Sequence, residues 1–283
     1  MKCIFLNLKR FDVPVEFGGV NRLSDVRRWG EQIVGRTQKA LMRYSPSQTE
    51  FVQFFPEAHI LGAVGALCEG SPVQIGSQSV YRMDTAPGGN FGAFTSSRPA
   101  SAVKAMGCTY TLIGHCEERA DKLGILSEAG TPDTAAVNRI LNAQVRLALG
   151  AGLKVLYCVG EKSEEQDCWE EVIGAQIGIG LAGVDMTNVT IAYEPVWAIG
   201  PGKAPPDPQY IAKTARFIKE ATCGANVVYG GGLKADNAKM LAGIEEIDGG
   251  LIALTRFSGE FGFYPEEYLD IINIYLTGQA GSQ

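Results

Sequence analysis

Eight short apolar runs, each followed by a helical pattern, constrain this chain more than any other feature. The runs are Cys3–Leu8, Phe51–Phe55, Val73–Ile75, Tyr110–Ile113, Val155–Val159, Val189–Tyr193, Val227–Tyr229 and Leu251–Leu254. Each shows little polar alternation, which is how a parallel strand buried on both faces reads. Between them, Val137, Ile140, Leu141 and Ala148 share one helical face, and Trp169, Val172, Ile173 and Ile177 share another. Thr131-Pro132 and Asp207-Pro208 each offer a capping side chain followed by proline at the first helical position. A doubly wound sheet would need fewer units and usually a glycine-rich dinucleotide loop after its first strand, and none is present. The expectation is an α/β fold closed into a (β/α)8 barrel. It forms a single domain over residues 1–277, with a short tail at 278–283.

The composition narrows the function. Of the 283 residues 46% are apolar and 20% charged, enough for a large core and too apolar for a disordered chain. The net charge is −6 and no basic run occurs, so nucleic acid is not an expected partner. An anionic substrate would have to be held locally, by backbone amides and one or two cations. Seven cysteines, an odd number without a C-x-x-C spacing, read as reduced thiols in a cytoplasmic protein, with no disulfide frame and no metal site. The apolar stretch at the N-terminus is too short for a signal peptide, and no run is long enough to span a membrane.

In such a barrel the active site lies at the carboxyl ends of the strands. Asn7 and Lys9 follow the first run, two residues apart, the spacing that puts strand side chains on one face. His115 stands where the fourth run turns into a helix, and a helix N-terminus disfavours positive charge on the ring. Cys116 beside it suggests a thiol nucleophile, but adjacent residues rarely have the mutual geometry that requires. His59, the other histidine, gives no signal. After the sixth run, Glu194 opens a segment through Lys203 whose middle is apolar and whose ends carry proline and glycine. Apolar loop centres are unusual, and a lid that closes over a site and excludes water is one physical reason for them. After the seventh run, Gly230, Gly231 and Gly232 let the backbone approach a ligand and aim amides at an anion.

Taken together these segments resemble triosephosphate isomerase. That family carries N-x-K, G-H-S-E-R-R, Y-E-P-V-W-A-I-G-x-G-K and Y-G-G-S at the corresponding places. Here they read Asn7-Leu8-Lys9, Gly114 through Arg119, Tyr193 through Lys203, and Tyr229 through Gly232, in the same order. Gly92-Ala93-Phe94-Thr95 also matches the family's third loop. The resemblance implies a TIM barrel without cofactor. In it Glu194 shuttles a proton, His115 polarises a carbonyl as a neutral ring, and Lys9 stabilises an enediolate with Asn7 beside it. It further implies Glu117 as a carboxylate behind the site, Gly200 on the lid, a small phosphorylated sugar as substrate, and a place in central carbohydrate metabolism. A homodimer is implied too, in which the 82–98 loop carries Thr95 to the neighbour's site.

The departures concentrate at the phosphate end. Gly232 stands where the family has serine, and Ala253 and Leu254 stand where it has two glycines. A leucine side chain would obstruct close backbone approach, and Arg256 is the candidate compensating cation. The loops Arg10–Leu23 and Arg82–Phe91 are longer than the family norm, Gln78-Ser79 replaces a glutamine-asparagine pair, and Leu8 replaces a tryptophan. Such changes also suit an isomerase of another small phosphorylated ketose, such as a tetrulose phosphate. A Schiff-base lyase using Lys9 and a non-catalytic sugar-phosphate-binding barrel are the further alternatives.

Overall fold

A computed structural model describes residues 1–200 and 203–278. Pro201 and Gly202 of the sixth-strand segment, and residues 279–283 of the expected tail, lie outside the described residues. Eight parallel strands close into one barrel in chain order: β1 (Lys2–Asn7), β2 (Thr49–Phe55), β3 (Val73–Gln78), β4 (Tyr110–Ile113), β5 (Lys154–Val159), β6 (Val189–Tyr193), β7 (Val227–Tyr229) and β8 (Gly249–Ile252). Around them lie α1 (Trp29–Leu41), α2 (Glu57–Gly65), α3 (Ala100–Ala105), α4 (Cys116–Glu128), α5 (Thr134–Gly150), α6 (Trp169–Gly180), α7 (Pro208–Ala221), α8 (Ala238–Ala242) and α9 (Pro265–Thr277). Among the described residues no helix is long and apolar enough to cross a membrane.

Alternation along each strand divides the core into two layers. Cys3 and Phe5 of β1 point into the barrel with Val52, Phe54, Tyr110, Leu112, Leu156 and Val228. Ile4 and Leu6 point outward, where they meet helix residues such as Ile33 and Ile271. Both faces are therefore dry, and the strands read as unbroken apolar runs.

The strands β1, β2, β3 and β5 differ from the expected runs by one to three residues at an end, and two further boundaries bear on the site and its surroundings. The eighth strand was expected at Leu251–Leu254 and lies two residues earlier. Gly249 and Gly250 belong to it because the backbones come too close for a side chain: a Cβ on Gly249 would lie 1.8 Å from Cys3 O. Ala253 and Leu254 thus fall in the loop beyond the strand. The fifth helix starts at Thr134, and its cap is Asp133, whose carboxylate accepts from Ala136 N, so Thr131-Pro132 only leads into it. The Asp207-Pro208 device is present as expected, with Asp207 accepting from Tyr210 N.

The long first loop is anchored at two points. Asp12, almost fully buried, meets the buried His59 Nε2 at 3.1 Å and takes two hydrogen bonds of 2.9 Å from Arg10. Further along, Arg22 donates to Phe261 O at 2.9 Å, tying the loop to the one after β8. His59, without a signal in the sequence, is thus a structural residue.

Candidate active site

The carboxyl ends of β1, β4 and β6 bring Lys9, His115 and Glu194 together. The chain from β4 enters α4 through Gly114, whose φ of +81° suits the turn. Arg119 pins that turn by donating to Gly114 O at 2.8 Å and to Cys158 O at 2.9 Å. His115 is the N-cap of α4, and its Nδ1 accepts from Glu117 N at 3.3 Å. An accepting Nδ1 leaves the ring proton on Nε2, which faces Glu194 Oε1 at 3.2 Å.

Glu194 follows β6 directly and is 2% exposed. Its Oε2 accepts from Cys116 N at 3.0 Å. Oε1 has no hydrogen-bond partner: Nε2 is near enough but off the line of a good bond. Burial pushes the Glu194 carboxyl above the ordinary glutamate range, against the lowering pull of His115, the Cys116 amide and Lys9. A raised, buried carboxylate with one free oxygen is equipped to accept a proton from a ligand. Burial and the neighbouring Glu194 likewise push the Cys116 thiol up to about 12, which removes the nucleophile reading.

Two glycines make room for Glu194. A Cβ on Gly160, after β5, would lie 1.8 Å from Glu194 O. One on Gly230, after β7, would lie 2.8 Å from Glu194 Cγ. Gly230 thus serves close packing against the carboxylate, in addition to any role in approaching a ligand.

Lys9 lies beyond the end of β1, in a left-handed turn at φ +40°, so strand alternation does not relate it to Asn7. Instead Asn7 Oδ1 accepts the Lys9 N–H at 3.1 Å, and Gln78 Nε2 donates to Lys9 O at 3.0 Å and to Asn7 Oδ1 at 3.3 Å. Gln78, noted in the sequence only as a departure, holds this corner. Lys9 Nζ donates to Glu117 Oε1 at 2.7 Å. Glu117 was expected behind the site, but its side chain is 67% exposed and lies on the open face. The inward-facing carboxylate of that turn is the partly buried Glu118, which accepts from Gly114 N at 2.7 Å, Lys122 Nζ at 2.8 Å and Ser79 Oγ at 2.5 Å. Burial opposes its ionisation, but Lys122 and these hydrogen bonds outweigh it and hold the carboxyl below its usual range. Two adjacent glutamates at a helix start give no sequence signal for which one turns inward. A cavity of about 510 Å³ opens between Lys9, His115, Glu117 and Gln78.

The segment expected as a lid begins with a short 3-10 turn, Val196–Ala198, and reaches Gly200 at φ +120°. Its Trp197 donates through Nε1 to Glu161 Oε1 at 2.8 Å, and the Tyr193 and Tyr210 hydroxyls converge on the same oxygen at 3.0 and 3.1 Å. Glu161 is fully buried, and burial raises its carboxyl above the usual range. The sequence reading missed this anchor. A lone glutamate after a strand, Gly160-Glu161, was its only trace.

At the expected phosphate end, Gly231 and Gly232 follow β7, and Gly232 has φ +96°. Leu233 N donates to Leu251 O at 3.0 Å, so the segment after β7 lies against the end of β8, beyond which Ala253 and Leu254 follow. Arg256 was the candidate compensating cation. Its guanidinium is spent on Glu267 of α9, to which both Nε and Nη2 donate, and it lies 3.8 Å from the centroid of the Tyr264 ring. That is the surface ion pair, and the anion-grip expectation is corrected accordingly. The cation beside Gly232 is Lys234, which the sequence reading passed over: its Nζ lies 4.2 Å from the Phe257 ring centroid. Thr95 is exposed on the long loop.

Comparison with known proteins agrees with this geometry. The chain is 37% identical over 213 residues to the triosephosphate isomerase of Treponema pallidum, covering 70% of this chain and 77% of that protein. It is 32% identical over 238 residues to that of Leptospira interrogans, covering 77% and 88%. The crystal structure of triosephosphate isomerase from Bartonella henselae superposes with a TM-score of 0.71 at 23% identity, covering 97% of this chain and 98% of that one, a likeness of fold. A family model described as triosephosphate isomerase matches residues 30–274. With the barrel, the strand-end residues and these matches in agreement, the chain belongs to the triosephosphate isomerase family.

Proposed function

We propose that this chain interconverts dihydroxyacetone phosphate and glyceraldehyde 3-phosphate by moving a proton between adjacent carbons. The observation that carries the reading is the unpartnered, buried Glu194 Oε1 facing Nε2 of His115 at 3.2 Å. Removing a proton next to a carbonyl needs a positioned base on one side and a charge-stabilising donor on the other. Glu194 is that base. The His115 Nε2–H donates to the carbonyl oxygen as negative charge develops there. Lys9, held by Asn7 and Gln78, supplies a fixed cation to the enediolate. Gly200, Gly231 and Gly232 offer amides to the phosphate, and Ala253 and Leu254 border it. The chemistry draws on side chains and amides alone.

The active unit is a homodimer built through the 82–98 loop, with Thr95 entering the neighbour's cavity beside Lys9. Support comes from the loop's exposed apolar side chains: Phe91 is 89% and Met83 49% exposed, a cost to an isolated chain. The seven free cysteines suit the reducing cytoplasm.

A second reading keeps the proton transfer and changes the sugar. Ala253, Leu254 and Gly232 favour it, because all three alter the phosphate end while the residues around Glu194 are kept. A coupled assay with glyceraldehyde 3-phosphate, run beside tetrulose phosphates, separates the two. Good triose turnover establishes the first reading, and tetrulose turnover alone establishes the second. In either case Glu194→Gln should keep the fold and lose the general base, worth roughly 10²–10⁴-fold or more in rate. Retained turnover in that variant would overturn the assignment.

A further inference from the structure

The turn that presents His115 also carries a thiol. One ligating atom from each of His115, Cys116 and Glu194 lies within 4.8 Å of those of the other two. The thiol sulfur is 3.7 Å from His115 Nδ1, and Cys116 is only partly buried: with Glu194, Arg119 and Val196 it lines a second cavity of about 380 Å³, through which solutes can reach the group. Glu194 brings a buried carboxylate oxygen with no hydrogen-bond partner. In the family pattern the residue after this histidine is serine, whose hydroxyl is a poor metal ligand. Cysteine turns an oxygen and nitrogen set into a sulfur, nitrogen and oxygen set.

We propose that His115, Cys116 and Glu194 form a capture site for a thiophilic divalent cation of the zinc class, and that the captured ion withdraws the base and the carbonyl-polarising ring from catalysis. Thiolate, imidazole and carboxylate are the donor types that suit zinc or cobalt, and a sulfur donor discriminates against magnesium and calcium. Zinc bond lengths put tetrahedral ligands about 3.3–3.7 Å apart, so the three atoms need a contraction of about 1 Å, within reach of side-chain rotation. On capture the S–H bond breaks as the sulfur–metal bond forms, and the thiol proton passes to solvent. The imidazole binds through the Nδ1 lone pair, which gives up its long 3.3 Å hydrogen bond from Glu117 N, and Glu194 binds as the carboxylate. Three protein ligands leave the fourth position to water. No oxidant or reductant takes part.

Capture itself stands apart from the isomerase reading; the inhibition rests on it. The test therefore reads the metal directly. Chelator-treated full-length protein, kept reduced without added thiols, is titrated with Co²⁺. The expected result is one ion per chain with a near-ultraviolet thiolate-to-cobalt charge-transfer band. Cys116→Ser should lose the band, and Cys168→Ser, which alters an exposed cysteine, should keep it. Zn²⁺ should displace the cobalt, and Mg²⁺ should not. In the unaltered protein Zn²⁺ binding should also release about one proton per ion, read with a pH indicator in weakly buffered solution, because the Cys116 thiol is protonated before capture. That readout holds even where the serine variant fails to fold. Absence of the band, or a band that survives in folded Cys116→Ser, overturns the proposal. Failure of Zn²⁺ to slow turnover while the band is present overturns only its inhibitory half.

Discussion

Gly230→Ala is the sharpest probe of how the barrel seats its base. The added methyl would lie 2.8 Å from Glu194 Cγ and 2.8 Å from Tyr193 O, where ordinary contacts begin near 3.4 Å. Something must therefore move by about 0.6 Å or more, since close-packed interiors do not absorb such overlaps. The carbonyl of Tyr193 accepts from Gly230 N at 2.6 Å and belongs to β6, so the backbone resists and the carboxylate side chain yields. Overpacking of this kind costs about 1–3 kcal/mol of stability. A base displaced by about 1 Å costs on the order of 10²-fold in rate. The expected outcome is a folded protein, a few degrees lower in Tm, with kcat reduced by roughly two orders of magnitude and KM little changed. Circular dichroism, a thermal melt and the coupled sugar-phosphate assay read these three quantities. A folded Gly230→Ala protein with unaltered kcat would refute the claim that this glycine exists to accommodate Glu194.

Three other outcomes follow from the geometry. Because burial raises the Glu194 carboxyl and the base must be ionised, kcat/KM should fall on the acid side along a limb centred above the ordinary glutamate value of 4.5; a limb at or below it would contradict the site. Arg256→Ala should leave the KM of the sugar phosphate unchanged, since the guanidinium is committed to Glu267, and a marked rise in KM would return it to the substrate. Trp197→Phe removes one of three donors to Glu161 Oε1, a contact to a buried acidic group worth about 1–3 kcal/mol, and should speed hydrogen exchange of the amides around Val196–Ala198. Unchanged exchange there would mean that the lid is held by something else.

The strands were legible because both of their faces are dry. β4, β6 and β7 lie where the apolar runs predict, whereas β8 is displaced because the apolar run begins only after Gly249 and Gly250, which are a close backbone approach within the strand. At the site, the residues with distinctive chemistry were readable: a histidine at a strand-to-helix turn, and a glutamate before an apolar loop. Their supports were not. Which of Glu117 and Glu118 turns inward depends on Ser79, Gly114 and Lys122, brought together only by folding. The convergence of Tyr193, Trp197 and Tyr210 on Glu161 spans β6, the lid and α7, and no local pattern announces it. Arg256 was misjudged for the same reason, since its partner on α9 was not visible from its own neighbourhood.

The seam at which β8 meets β1 sets a timetable for synthesis. Lys2 Nζ donates to Ile247 O across 245 residues, and Cys3 pairs with Gly249 in the ladder. The strand that leads to Lys9 is made well before its second neighbour, β8, and waits for it while the residues between them are translated. At roughly 5–20 residues per second that interval is about 12–50 s. Throughout it the β1 segment, Lys2–Asn7, presents an apolar edge with unpaired amides, the kind of edge that recruits other chains. Slow translation or a stall anywhere between β1 and β8 would prolong that exposure, so the yield of folded protein should depend on the pace of translation across that stretch.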